Sequence, residues 1–219
     1  MSVALKSPRA ERITPRWPAR ADSRVRFQML MAAVGRLLAE FGPSEITIQM
    51  IAQAASMPPA TVYHFFPSAE AALLAQAAEY FKAFEAEANE VTPVAERMSW
   101  QTAWRASAQR GREIFTGEVA RMRLLLGADV PRDVQSYDTE FNIRIGRIIV
   151  AKLERETHLP PIPGLAEACA NALEISDLFW RMSYQRRGTI TDDHFEEGMK
   201  AVIAYMSVYL PQQLEYRTP

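Results

Sequence analysis

The chain has 219 residues, with 25 Lys and Arg against 26 Asp and Glu, 48% hydrophobic residues and one cysteine, Cys169. A formal charge of −1 offers no bulk cationic surface to nucleic acid or membrane, and a lone cysteine excludes a disulfide framework and a thiolate metal cluster. The total hides an asymmetry. Eight cations and five acids leave residues 1 to 70 at net +3, and residues 71 to 219 are net −4. Seven of those cations, Lys6, Arg9, Arg12, Arg16, Arg20, Arg24 and Arg26, precede residue 27.

Basic residues at intervals of three to four, with no continuous apolar segment after them, do not make a secretory signal. No span of ~20 apolar residues predicts a membrane helix, so the expected setting is cytoplasmic. Prolines fall in clusters that leave long proline-free intervals, and no alternating run is bracketed by hairpin dipeptides. The fold expected is all-α. It comprises a flexible basic arm over 1–21, a three-helix domain with a helix-turn-helix over 22–67, and a helical ligand-binding and dimerisation domain over 68–219.

The first helix is predicted to start near Asp22 or Ser23 and run to about Phe41, since Phe27, Leu30, Met31, Val34, Leu37, Leu38 and Phe41 recur at helical spacing. Gly42-Pro43 ends it. A short helix capped by Thr47 carries Ile48, Ile51, Ala52 and Ala55 on one stripe. Ser56-Met57-Pro58 breaks the pattern, and Pro58 or Pro59 fits the first turn of a third helix through about Phe65. Ser68 caps a fourth helix that runs to about Asn89. Further helices are predicted near 94–116, 118–126, 132–157, 164–186 and 191–210.

Two short helices joined by a tight turn, with apolar anchors on both, form a helix-turn-helix pattern. The residues are Thr47-Ile48, Ile51-Ala52, Ala55, Pro59-Ala60-Thr61-Val62-Tyr63, Phe66-Pro67-Ser68, Glu70 and Leu73. This segment, from about Ile46 to Leu74, resembles the DNA-binding domain of TetR-family transcriptional regulators. The resemblance implies a homodimer on pseudo-palindromic double-stranded DNA, a small-molecule effector, and no cofactor.

A helix in the major groove offers its N-terminal residues to base edges, and hydroxyls and N–H groups at helix starts hold phosphates. Thr47, a helix cap, is a candidate phosphate contact, with capping alone as the competing role, and Gln49 offers a bidentate amide to adenine. Pro59 and Ala60 open the reading helix, with the Thr61 methyl beside thymine methyls, while Tyr63 and His64 reach backbone or base. Val62 and Phe66 face inward. For Gln49 and His64 the competing role is solvated surface. Where the family usually has Gly, Ser, His and Lys, this chain has Ser56, Pro58, Phe65 and Ala69, which alters the turn and removes two phosphate contacts. The basic arm, with Arg20 and Arg24, is expected to offset that loss through minor-groove or phosphate contacts, the competing reading being a solvated tail with no partner.

Beyond residue 94, Trp100, Trp104, Phe115, Tyr137, Phe141, Phe179, Trp180 and Tyr184 supply aromatic area for a cavity between helices. Asn142, Asn171, Glu174 and Asp177 are candidates to orient a ligand there. Cys169 among alanines packs rather than reacts. His64, His158 and His194 lie in separate segments without metal-binding spacing, and no Gly-x-Ser-x-Gly, P-loop or Gly-x-Gly-x-x-Gly occurs, so no enzyme is expected. Leu165, Leu173, Leu178, Val202, Ile203 and Met206 give the last two helices wide apolar faces for a four-helix interface between subunits. The expected function is a repressor released by an apolar or aromatic molecule. The competing reading is a helical dimeric ligand-binding or interaction protein that has lost autonomous DNA binding.

Overall fold

The computed structural model describes residues 14–89 and 98–217. Nine α-helices form among these residues: α1 Ala21–Glu40, α2 Ile48–Ala54, α3 Pro59–Phe65, α4 Ala69–Asn89, α5 Trp100–Thr116, α6 Val119–Leu126, α7 Arg132–Glu156, α8 Leu165–Arg187 and α9 Asp192–Met206. No strand is present among them, and β pairing is limited to an antiparallel bridge between Thr157 and Tyr216. The chain is all-α as expected. Lys6, Arg9 and Arg12 of the expected arm, and residues 94–97 of the expected fifth helix, lie outside the described residues.

The chain divides into two compact units. One comprises the described residues of Met1–Tyr80 with Glu118–Tyr137, and the other those of Phe81–Gly117 with Asp138–Pro219. Thus α6, remote in sequence, groups with the helix-turn-helix, and both α4 and α7 contribute to each unit.

In the first unit, most of the stripe read from the sequence faces the core: Phe27, Leu30, Val34 and Leu38 of α1 are at most 1% exposed, whereas Leu37 is half-buried and Phe41, past the helix end, is 36% exposed. Burying each such side chain contributes about 1.5–3 kcal/mol. The Phe27 ring lies 5.3 Å from Phe66 and 5.7 Å from Phe65, which locks α3 onto α1. Leu124, Leu125 and Leu126 of α6 are buried, and α6 packs on α1. The end of α1 differs from expectation in its cause. Gly42 has φ −67, not a left-handed value; Pro43 holds it extended and opens a short 3-10 turn, Pro43–Glu45, in which Gly42 N–H donates to Glu45 Oε1 at 2.9 Å.

In the second unit, α8 packs along α9. Gly188, at φ 72, takes the left-handed position that ends α8. Gly146 on α7 permits a close crossing with α8, because a Cβ there would run into the Ala166 carbonyl and lie 3.1 Å from Ala170 N. After α9 the chain turns at Leu210 and returns to α7, where Arg217 N–H donates to Glu156 O and His158 N–H to Glu215 O.

Candidate functional site

The helix-turn-helix owes its geometry to its ends. Thr47 is extended and its Oγ1 accepts the Met50 N–H at 3.2 Å, capping α2. At the other end of α2, Met57 N–H donates to Ala52 O and Ser56 N–H to Gln53 O, the paired bonds of a Schellman turn. Ser56 therefore occupies the position where glycine is favoured, at φ 53. Pro58 is extended and Pro59 fills the first position of α3, so that helix starts where the prolines dictate.

On α3, Val62 and Phe65 are buried while Pro59, Ala60, Tyr63 and His64 are exposed and Thr61 is half-buried. Gln49 and Thr47 are exposed on α2. These residues thus share the solvent side of the two helices, with Tyr63 47% exposed. Phe65, which stands where the family usually has a His, is 2% exposed against Phe27 and belongs to the core. Arg20 and Arg24 are exposed, but they are part of α1: Arg20 is its N-cap and Arg24 N–H donates to Arg20 O.

Three arginines close the C-terminal ends of the reader's helices, where carbonyls lack intrahelical partners. Arg123 donates to Leu38 O at 2.8 Å in the last turn of α1, Arg36 to Ala54 O at 2.7 Å at the end of α2, and Arg16 to His64 O at 3.5 Å on α3. Arg16 N–H also donates to Phe65 O at 2.8 Å, Pro15 is buried, and the Trp17 ring packs 5.1 Å from Phe27. The segment expected to be a free arm through residue 21 is therefore docked from Pro15 onward, because its aromatic and apolar residues find the core. Sequence reading missed these bonds, since a donor to a distant carbonyl leaves no local pattern. Asp129 likewise accepts from Ser44 N–H at 3.1 Å and Ser44 Oγ at 2.7 Å. Partial burial pushes against ionisation there, but the Ser44 bonds hold the carboxyl below its ordinary range.

The second unit encloses a cavity of about 590 Å³. Its walls include Trp100, Trp104, Phe115, Phe141, Asn142 and Trp180, all singled out above, and also Phe81 and Phe84 of α4. Five expected residues are not among the walls: Tyr184, Glu174, which is bonded to Asn142, and three placed elsewhere. Tyr137 belongs to the first unit, Phe179 packs its Cβ 3.2 Å from the Cβ position of Gly198, and Asn171 is exposed and donates to Tyr205 Oη at 3.2 Å. Helical period identifies a stripe but not which of two neighbours it faces. Tyr216 and Arg217 of the returning C-terminal segment also line the cavity, and no periodicity marks them.

One end of the cavity is acidic. Asn142 Nδ2 donates to Glu174 Oε1 at 3.1 Å and Asp177 Oδ2 at 3.2 Å. Burial, then the neighbouring Asp177 and Glu174 charges, push the Asp138 carboxyl well above the ordinary range, with Arg181 opposing. Burial likewise raises Asp177, against the Asn142 hydrogen bond and Arg181. The Trp180 indole N–H is buried without an acceptor. Cys169 is buried, its thiol pushed up to about 12 by desolvation. Of the apolar residues expected at a subunit interface, Leu165, Val202 and Met206 are buried within the unit, Leu173 lines the cavity, and Leu178 is 51% exposed.

Among the described residues, no helix is long and apolar enough to cross a membrane, and no group of three or more His, Cys, Asp or Glu is placed to hold a metal ion. Residues 30–78 match the family model described as bacterial regulatory proteins, tetR family. No curated protein matches the chain. Its fold is similar to a TetR-family transcriptional regulator from Streptomyces coelicolor, at TM-score 0.63 and 19% identity over 86% of this chain and 99% of that one. A TetR transcriptional regulator from Rhodococcus sp. RHA1 aligns at TM-score 0.61 and 15% identity over 84% and 96% of the two chains. Regulatory protein TetR from Rhodobacter sphaeroides aligns at TM-score 0.52 and 16% identity over 83% and 98%. The helix-turn-helix thus lies inside the segment that matches the tetR family model, and the chain as a whole has a fold similar to that of solved TetR-family regulators.

Proposed function

We propose that the protein is a homodimeric repressor of genes flanked by a pseudo-palindromic operator, released from DNA when a small molecule enters the cavity of the second unit. The observation that carries this reading is the pairing, in one chain, of an exposed polar face on α2 and α3 with a separate aromatic-walled cavity of about 590 Å³. That volume suits a drug-sized ligand. Gln49, Ala60 and Thr61 serve base edges, Tyr63 and Thr47 serve phosphates, and His64 serves either. Arg20 and Arg24 add phosphate contacts. Arg20 is the N-cap of α1 and Arg24 follows one turn later, with the acidic Asp22 between them, at a helix N-terminus that favours an approaching anion.

Helix α4 supplies the coupling. Ala71, Ala72 and Leu73 are buried in the unit that holds α3, and Phe81 and Phe84 of the same helix line the cavity. A ligand that displaces those two rings favours a dimer in which α4 is shifted and the two α3 helices no longer match one turn of DNA, roughly 34 Å. The test is a mobility-shift titration of the full-length protein on the DNA flanking its own gene. Retardation by wild type, weakened at least about tenfold in Gln49→Ala and Tyr63→Ala, is the expected result. A folded dimer that shows no retardation at low salt leaves instead a ligand-binding or interaction protein without autonomous DNA binding.

A further inference from the structure

We propose that the ligand of this cavity is a lipophilic organic cation, its flat body held by the aromatic walls and its charged nitrogen seated at Asp177 and Asp138 beside the Trp180 ring. The inference rests on the reading of the cavity as the effector site and names the chemistry of its occupant. Three carboxyls, Asp138 on α7 with Glu174 and Asp177 on α8, surround one guanidinium, Arg181. Asn142 spends both amide hydrogens on Glu174 and Asp177, which fixes those two carboxyls in place. Asp138 lines the cavity and accepts no hydrogen bond among the described residues. The carboxyls do not close on a metal-binding geometry, so the missing positive charge is not supplied by that route.

The counter-charge elsewhere in the cavity is too far away to serve. Lys152 lies four turns from Asp138 along α7, roughly 21 Å, and Arg155 is bonded to Glu156 at 2.9 Å. Arg217 donates to the Thr157 carbonyl at 2.8 Å. Of the other two wall carboxylates, Glu156 is bonded to Arg155 and Glu87 is paired with Arg110. Trp180 follows Asp177 by three residues on α8, so the two share a helix face, and Trp180 is 5% exposed with its N–H unpartnered. A cation between a carboxylate and an indole gains both ion pairing and attraction to the ring. An anion gains nothing from these carboxyls, and a neutral molecule forms no ion pair with them, whereas a cation favours their ionised forms.

The test compares 9-aminoacridine, a cation at neutral pH, with acridine, a neutral molecule of the same tricyclic shape, by fluorescence titration of the full-length protein without DNA. The expected result is that 9-aminoacridine binds on the order of tenfold more tightly or better, and that Asp138→Asn with Asp177→Asn removes this preference while leaving acridine unchanged. Asp138→Asn alone, checked for folding by circular dichroism, is expected to remove part of it. Equal binding of the two dyes by the wild type, or a preference that survives both substitutions, overturns the cation and leaves the effector site standing. Binding of neither dye to the folded protein removes the cavity as an effector site and the inference with it.

Discussion

Replacing Ser56 by glycine is expected to stabilise the protein, and the magnitude follows from one backbone angle. Ser56 is the non-glycine residue found at positive φ among the described residues, at φ 53, in the turn that joins α2 to α3. An L-residue in the left-handed region costs roughly 1–2 kcal/mol. Glycine removes that cost but loses about 0.5–1 kcal/mol through the greater freedom of its unfolded chain. The net gain expected is about 0.5–1 kcal/mol. The bonds that define the turn, Met57 N–H to Ala52 O at 2.9 Å and Ser56 N–H to Gln53 O at 3.0 Å, are main-chain and survive the change. Urea denaturation of wild type and Ser56→Gly followed by circular dichroism measures the difference, with the midpoint raised and the slope unchanged. Ser56→Ala, which keeps the Cβ, is the control and gains nothing. A Ser56→Gly variant no more stable than wild type would falsify the strain argument.

Four other outcomes follow from the same geometry. Gly146→Ala places a methyl against the Ala166 carbonyl and is expected to cost about 1–3 kcal/mol, read as a lower thermal midpoint; an unchanged midpoint means that α7 and α8 are free to separate. Asp138 binds its proton more tightly in the folded protein than in the unfolded chain. Its contribution is therefore fully present below the ordinary carboxylate range and lost as pH rises from there through about 8. Asp138→Asn should then gain on wild type by on the order of 1 kcal/mol as pH is raised through that window, and a variant less stable at neutral pH contradicts the burial of charge. Arg20→Ala and Arg24→Ala should each reduce the salt dependence of operator affinity by about 0.9 in slope, whereas an unchanged slope places both side chains away from phosphate. Cys169 should resist a thiol reagent until the protein unfolds, since it is fully buried; rapid labelling of the native protein would show that α8 opens.

The parts of the fold read correctly from sequence are those with local causes. Pro58 and Pro59 set the start of α3, Thr47 and Ser68 cap their helices, and Phe27, Leu30, Met31, Val34 and Leu38 of the α1 stripe are buried as their spacing requires. What escaped depends on partners remote in the chain. Arg16, Arg36 and Arg123 satisfy carbonyls of α3, α2 and α1, and nothing in their own neighbourhoods distinguishes them from solvated arginines. The cavity shows the same division. Aromatic residues were recognised by type, yet Phe179 and Trp180 are adjacent on α8 and only Trp180 lines the cavity. Tyr216 was missed because the C-terminal segment is held by a bridge to Thr157 rather than by any repeat of its own. Phe65, read as a lost phosphate contact, has a positive role in the core that only its packing on Phe27 reveals.

The central claim is that two copies of α3 read DNA one helical turn apart. Hydroxyl-radical footprinting of the full-length protein on the DNA flanking its own gene addresses it directly. The account predicts two protected patches related by a two-fold axis and centred roughly 34 Å apart, both lost together in Tyr63→Ala. A single patch, or uniform weak protection that Tyr63→Ala leaves unchanged, would contradict it.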